Sequence, residues 1–360
     1  MKQTELIGKV QTVLGPIDAN QLGVTLPHEH LLTDLSAYFV EPVEASQRSL
    51  AYEPMKMENL SWMQVNLMNH ADDIKLTDEN LVIKEALLYK YAGGDTIVEM
   101  SNVGLHRDPL GLARISRATG LNVVMGSGYY IGMSHPPELA NMTEEDIAEE
   151  IVQDIVVGIG DTGVCAGIIG EIGCNMPLEE GERKVLRASA IAQQRTGAAI
   201  NMHPSRSDEV LLETLKILND AGADLSRTAI SHCDHCDFSR KTYHKLASFG
   251  CYIEFDTFGY PAIPLPASFV PGGGLLDMPS EVWRIREVKY LIDEGFLNRI
   301  LISQDICMRH RYVTYGGHGY AHILRNVVPW MRRGGITDQQ IHTIMVENPK
   351  RLLPFVRSKH

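Results

Sequence analysis

The chain has 360 residues, 44% of them hydrophobic and 22% charged, which suits a folded protein with a sizeable core. Its 33 Lys+Arg against 45 Asp+Glu leave a formal charge of −12 with no basic run, which argues against nucleic acid as a partner. The start lacks a signal peptide's apolar stretch, no apolar run reaches the ~18 residues of a membrane span, and six cysteines are too sparse for a disulfide framework, so a reduced, cytoplasmic protein without a membrane partner is expected.

The first element in chain order is "GKVQTVLGPIDANQLG", which predicts a β-hairpin turning around residues 15–20, outside the main body. Short β-rich apolar runs follow: "LGVTLPHEH" (22–30), "DTIVEMS" (95–101), "NVVMGSGYY" (122–130) and "AGIIGEIG" (166–173). The next four are "AAINMHP" (198–204), "TAISHCD" (228–234), "CYIEFDTFG" (251–259) and "RILISQD" (299–305). Helices with ordinary boundary signals lie between most of them. "RDPLGLARISRATG" offers Asp108 as N-cap, Pro109 in the first turn and Gly120 as the stop. "TEEDIAEEIVQDIVVGI" opens on Thr143 followed by acids, and two further helical runs end in Gly197 and Gly222. "SEVWRIREVKYLIDEG" repeats the plan.

Eight strands alternating with helices predict a parallel sheet with right-handed crossovers, closed as a (β/α)8 TIM barrel. An open doubly wound sheet is the alternative, but it calls for a Gly-rich phosphate loop after the first strand, and none is present. No linker stands out, so residues 1–360 read as a single domain: 1–21 as the N-terminal hairpin and 22–360 as the barrel. Two segments, 33–76 and 259–279, are long for plain connections and predict binding loops. Cys165, Cys251 and Cys307 lie in strand-like contexts that suggest small buried hydrophobes.

The polar residues at the strand ends form a set. The first run gives His28 and His30, two apart and therefore on one face. The fourth gives Glu171, the fifth His203, the sixth His232 and the eighth Asp305. A lone histidine is more often a satisfied core residue than a ligand, but strand C-termini converge on one mouth of a barrel, where active sites lie. Imidazoles with carboxylates suit zinc, manganese, iron or cobalt. Six ligands exceed one tetrahedral ion, so two divalent ions about 3.5–4 Å apart are expected. His28, His30 and Asp305 would hold one, His203 and His232 the other, with Glu171 as the bridge. A water between two cations becomes a hydroxide nucleophile, and Asp305 would take its proton to the leaving group.

"LPHEHLL", "AGIIGEIGC", "NMHP", "SHCD" and "ISQD" resemble the phosphotriesterase family of the amidohydrolase superfamily, over essentially the whole chain. "DMPSEVWRIREVKYLIDEGFLNRILISQD" and "YGGHGYAHILRNVVPWMRRGGIT" resemble its phosphotriesterase-related (resiniferatoxin-binding-like) subgroup. Many relatives bridge their metals with a carboxylated lysine; Glu171 brings its own carboxylate. The resemblance also places Tyr130 near the substrate carbonyl, as in lactonases of the family, with aromatic packing at the rim as the alternative. Those lactonases tend to carry an arginine where Thr257 stands here, which weakens a lactonase reading.

The resemblance implies a hydrolase of N-acyl amino acids or N-acyl taurine-like amides. Two alternatives stand beside it: a lactone or carboxylic ester hydrolase with phosphotriesterase side activity, and a small-molecule-binding protein on a retained barrel. The family often forms dimers, so a homodimer is an implied state. Cys233 and Cys236 make one CxxC with no second pair, which reads as loop residues near the mouth, with His235 beside the ligands. His318 and His322 stand four apart without a zincin's acid, and lean towards the site. Arg309 and Arg311 read as solvated loop cations, with recognition of an anionic substrate as the alternative.

Overall fold

The computed structural model describes residues 6–236, 238–266 and 274–357. An eight-stranded parallel sheet forms the centre. Its strands are β1 Thr25–Glu29, β2 Thr96–Glu99, β3 Asn122–Ser127 and β4 Ile168–Gly173. They continue as β5 Ile200–His203, β6 Thr228–Ile230, β7 Tyr252–Phe255 and β8 Ile300–Ile302. Sheet order follows chain order, and β8 returns to β1: His28 N donates to Ser303 Oγ at 3.2 Å, and Asp305 N donates to His28 O at 3.3 Å. This is the predicted (β/α)8 barrel.

Each strand is followed by a helix, in order α1 Glu79–Tyr91, α2 Pro109–Thr119, α3 Glu144–Val156 and α4 Glu180–Thr196. Then come α5 Asp208–Asp220, α6 Arg240–Phe249, α7 Glu281–Asp293 and α8 Val328–Arg333, the last preceded by a π-helical turn at Ile323–Val327. The expected boundaries hold. Asp108 accepts from Gly111 N at 2.8 Å, Thr143 accepts from Asp146 N at 3.1 Å, and Gly120 stops α2 at φ +67°. Among the described residues, no helix is long and apolar enough to cross a membrane.

The hairpin differs from expectation in turn and in place. Its strands are Lys9–Thr12 and Gly15–Asp18, so the turn lies at Val13 and Leu14. Thr12 sets it there: its hydroxyl donates to Gly15 O at 2.7 Å and accepts from Leu14 N at 3.2 Å. The hairpin also closes the barrel floor. Val10 and Leu22 pack with Val98, Val124, Ile168, Ala229, Leu301 and Leu352, and Val13 N donates to Val123 O at 2.9 Å. Sealing that end buries apolar side chains from several strands at once, and leaves the opposite mouth as the route in.

Candidate active site

The six strand-end residues meet at the mouth around Glu171. His203 Nδ1 lies 3.0 Å from Glu171 Oε2, His28 Nε2 3.5 Å and His232 Nε2 3.6 Å. His30 Nε2 lies 3.4 Å from Glu171 Oε1 and 3.2 Å from Asp305 Oδ1, which is 3.8 Å from His28 Nε2. His203 Nδ1 and His232 Nε2 are 2.7 Å apart. Strands β6 and β8 stop short of their ligands, so His232 (φ +55°) and Asp305 (φ +50°) sit in turns of left-handed backbone. Side chains with a Cβ seldom adopt that conformation, and fixed contacts are needed to hold it. Asp256 supplies one, accepting from His232 N at 3.0 Å.

A buried outer ring of polar groups orients these side chains. His28 Nδ1 pairs with Ser231 Oγ at 3.0 Å, His30 Nδ1 with Ser101 Oγ at 2.9 Å, and His232 Nδ1 with Asp256 Oδ1 at 2.9 Å. Three imidazoles therefore turn Nε2 inward, which is how histidines are fixed around a metal. Glu29, between the two histidines of β1, accepts from Ser303 Oγ at 2.8 Å and from Gln304 N and Ile306 N at 2.9 Å each. It thereby fixes the turn bearing Asp305. Burial pushes Glu29 up to about 7, against those three donors. Sequence reading missed Asp256, Ser231, Ser101 and Glu29 in these roles. Asp256 was findable as the acid ending the seventh run; a serine behind a ring carries no pattern.

The charges make a case for a cation. Burial alone would push His28 down, yet Glu171 and Asp256 outweigh it and raise it to about 9. His30 and His232 also stand well above the usual histidine range: burial is outweighed by Asp305 and Glu171 at His30, and by Asp256 and Glu171 at His232. Glu171 stays well below the carboxylate range, because His28, His203 and His232 overcome its burial. Burial and His232 lower His203, which favours its neutral, ligating form. His28 Nε2 is buried without a hydrogen-bond partner among the described residues. A divalent ion answers both that atom and the excess of carboxylate. Among the described residues three groups could hold one, His28/His30/Asp305, His28/Glu171/His232 and His28/Glu254/Asp256, each with its ligand atoms within 4.8 Å of one another.

Above this cluster lies a cavity of about 190 Å³. Leu35, Leu67, Met68, Leu276, Met278 and Met308 make an apolar wall, so both long loops reach the site as expected. Part of the second, residues 267–273, lies outside the described residues. Tyr130 also lines the cavity, its hydroxyl 3.4 Å from the His203 ring and 3.1 Å from Tyr38 OH. Burial pushes Tyr130 well above the ordinary phenol, which keeps its proton on. Thr257 lines the cavity too; it donates to Asp234 at 2.6 Å and accepts from the buried Arg284 at 2.8 Å.

Other sequence candidates fall elsewhere. His322 is buried against Glu281, at 3.2 Å, and stacks on His318; neither is among the cavity's lining residues. Arg311 is not solvated: it is buried, donates to Phe258 O at 3.0 Å and lies over the Tyr260 ring. Arg309 donates to Lys75 O at 2.6 Å. Cys236 lines the cavity, but burial pushes its thiol up to about 12 and raises that of Cys233 well above the usual thiol range, as befits neutral packing groups. Cys251 and Cys307 are buried as expected, while Cys165 is only half-buried.

A barrel that gathers histidines and carboxylates able to hold a metal at its open mouth fits a metal-dependent hydrolase. The model of the Phosphotriesterase family matches residues 8–353, and the chain belongs to that family. It is 41% identical to N-acetyltaurine hydrolase of Homo sapiens, covering 98% of this chain and 99% of that protein. It is 40% identical to a phosphotriesterase-related protein of Nematostella vectensis, over 97% of this chain and 99% of that one. Among solved structures, a resiniferatoxin-binding protein from Rhodobacter sphaeroides superposes with a TM-score of 0.90 at 36% identity, covering 96% of this chain and 95% of that one. The lactonase Lmo2620 from Listeria monocytogenes reaches 0.78 at 25% identity, over 97% and 100% of the two chains.

Proposed function

We propose that the chain is an amidase that hydrolyses N-acyltaurines, N-acetyltaurine among them, into a carboxylic acid and taurine. The observation that carries this reading is the convergence of four imidazoles on Glu171, with Asp305 beside two of them, under a partly apolar cavity. Whole-length similarity to N-acetyltaurine hydrolases supports the choice of amide. In this reading His28, His30 and Asp305 would hold one divalent ion, His203 and His232 would hold a second, and Glu171 would lend its carboxylate to the site. Zinc is the proposed metal; manganese, cobalt and iron suit the same donors. Ions bound there polarise a carbonyl and bring the ionisation of water near neutrality.

The chain's own residues do the rest. Asp305 takes the proton released as water adds to the carbonyl carbon, then gives it to the departing nitrogen as the C–N bond breaks. Its carboxyl is suited to this: His30 and His232 outweigh burial and hold it below the usual range, so it starts as the base. Tyr130, with its proton retained, donates a hydrogen bond to the oxygen that gains charge. Five of the six free cysteines are buried, and all six thiols fit a reducing, cytoplasmic setting.

The test is a competition. Zinc- or manganese-loaded protein receives equal amounts of N-acetyltaurine, N-acyl amino acids, γ- and δ-lactones, carboxylic esters and an aryl phosphotriester, followed by mass spectrometry. Selective loss of N-acetyltaurine, at least about 1,000-fold slower in Asp305→Asn, is the expected outcome. Selective loss of a lactone would replace the amidase reading with the lactonase one.

A further inference from the structure

The cavity's lining combines apolar and polar side chains. One wall is the leucine and methionine surface described above. Another part of the lining comes from the loops after β5 and β6, with Ser205, Arg206 and His235. Arg206 is the only lysine or arginine among the described residues lining the cavity. It stands three residues past His203, and its Nη2 donates to His235 O at 2.7 Å, which ties the two loops together. Ser205 Oγ and His235 Nδ1 are buried with no hydrogen-bond partner among the described residues. Buried polar atoms without partners are rare in native proteins and call for a ligand or water to complete them. A hydroxyl, an imidazole N–H and a guanidinium together make a set of donors matched to the oxygens of an anionic acid.

We infer that Arg206, with Ser205 and His235, binds the acid end of the substrate's amine half, a sulfonate or a carboxylate, while the leucine and methionine wall takes the acyl group. This rests on the amidase reading for the identity of the two halves. It fixes the direction in which the substrate lies: acid end towards the β5 and β6 loops, acyl end towards segments 33–76 and 274–279. It also makes specificity separable from chemistry, since none of the three donors belongs to the ligand cluster.

Binding can be read without turnover. Methanesulfonyl-taurine replaces the scissile carbonyl with an uncleavable sulfonyl group. Methanesulfonyl-β-alanine carries a carboxylate instead, and N-(2-hydroxyethyl)methanesulfonamide has no acid. Calorimetry of the zinc-loaded protein should show at least one acid bound about 30-fold more tightly than the neutral compound. Arg206→Gln should erase that preference, Arg206→Lys should restore part of it, and Ser205→Ala, the gentler variant, should reduce it several-fold. The stronger of the two acids identifies the natural one. Equal binding of acid and neutral compounds by the unmutated protein, or an acid preference that survives Arg206→Gln in folded protein, overturns the inference. An acid preference in a protein that leaves N-acetyltaurine intact sinks the amidase reading but keeps the acid site. Turnover of N-acetyltaurine with no acid preference does the reverse.

Discussion

Glu171 is where the residue scale matters most. It reaches four imidazoles with one carboxylate, and a glutamate needs no carbon dioxide to provide that group. Zinc uptake by the metal-free protein should therefore be the same with and without bicarbonate, measured by atomic emission after desalting; a clear gain with bicarbonate would refute the bridge. Glu171→Ala should lower zinc content by more than half while the fold persists, because it removes the anion that neutralises the cluster. The clustering of these six residues was legible because a strand-end position and a chemically distinctive residue coincide six times. The groups that orient it were not. Ser231 and Ser101 act through where other strands put them, and Arg206 stands out only once the two loops are seen to touch. Arg311 misled for the same reason: its burial comes from Tyr260 and Phe258, distant in sequence.

At the scale of elements, two carboxylates fasten the mouth. Glu29 holds the turn after β8, and the bonds it accepts from Ser303, Gln304 and Ile306 place Asp305. In Glu29→Gln an amide N–H2 faces donors that need an acceptor, so the turn should loosen. A fall of about 10- to 100-fold in kcat on the proposed amide substrate, with KM little changed, is expected from steady-state kinetics. Asp73 joins segment 33–76 to the loop after β8, accepting from His310 N at 2.7 Å and lying 2.7 Å from His310 Nδ1. Burial raises its pKa, but the His310 contacts outweigh it and leave Asp73 below the ordinary aspartate. Its contribution is therefore complete above the unfolded value, near pH 4, and is lost as pH falls through the lower folded value. Urea denaturation should find Asp73→Asn about 1–3 kcal/mol less stable at pH 7, with the gap narrowing below pH 4. Strands and helices were readable from periodicity and caps. The hairpin's turn was not, because a single threonine hydroxyl decides it.

For the whole molecule, function and stability occupy opposite ends of the barrel. At the floor, the buried Arg227 donates to Arg351 O at 3.3 Å, Leu352 O at 2.7 Å and Pro354 O at 2.6 Å. Removing it strands three carbonyls far from the ligands. Arg227→Ala should cost about 3 kcal/mol of stability in denaturant titrations, with kcat per folded molecule retained.

The same floor pairs two segments far apart in the sequence: Gly8 N donates to Phe355 O at 2.8 Å, and Phe355 N donates to Lys9 O at 2.9 Å. Bringing them together closes a loop of nearly the full length, at an entropic cost of about 5 kcal/mol. The mouth repeats the arrangement, since β1 carries His28 and His30 and the turn after β8 carries Asp305. A chain still emerging from the ribosome thus holds its first two histidines without their aspartate and its first strand without the last. The proposed site is therefore complete only once Asp305 has been made, and a fragment ending before it lacks one member of the six-residue set.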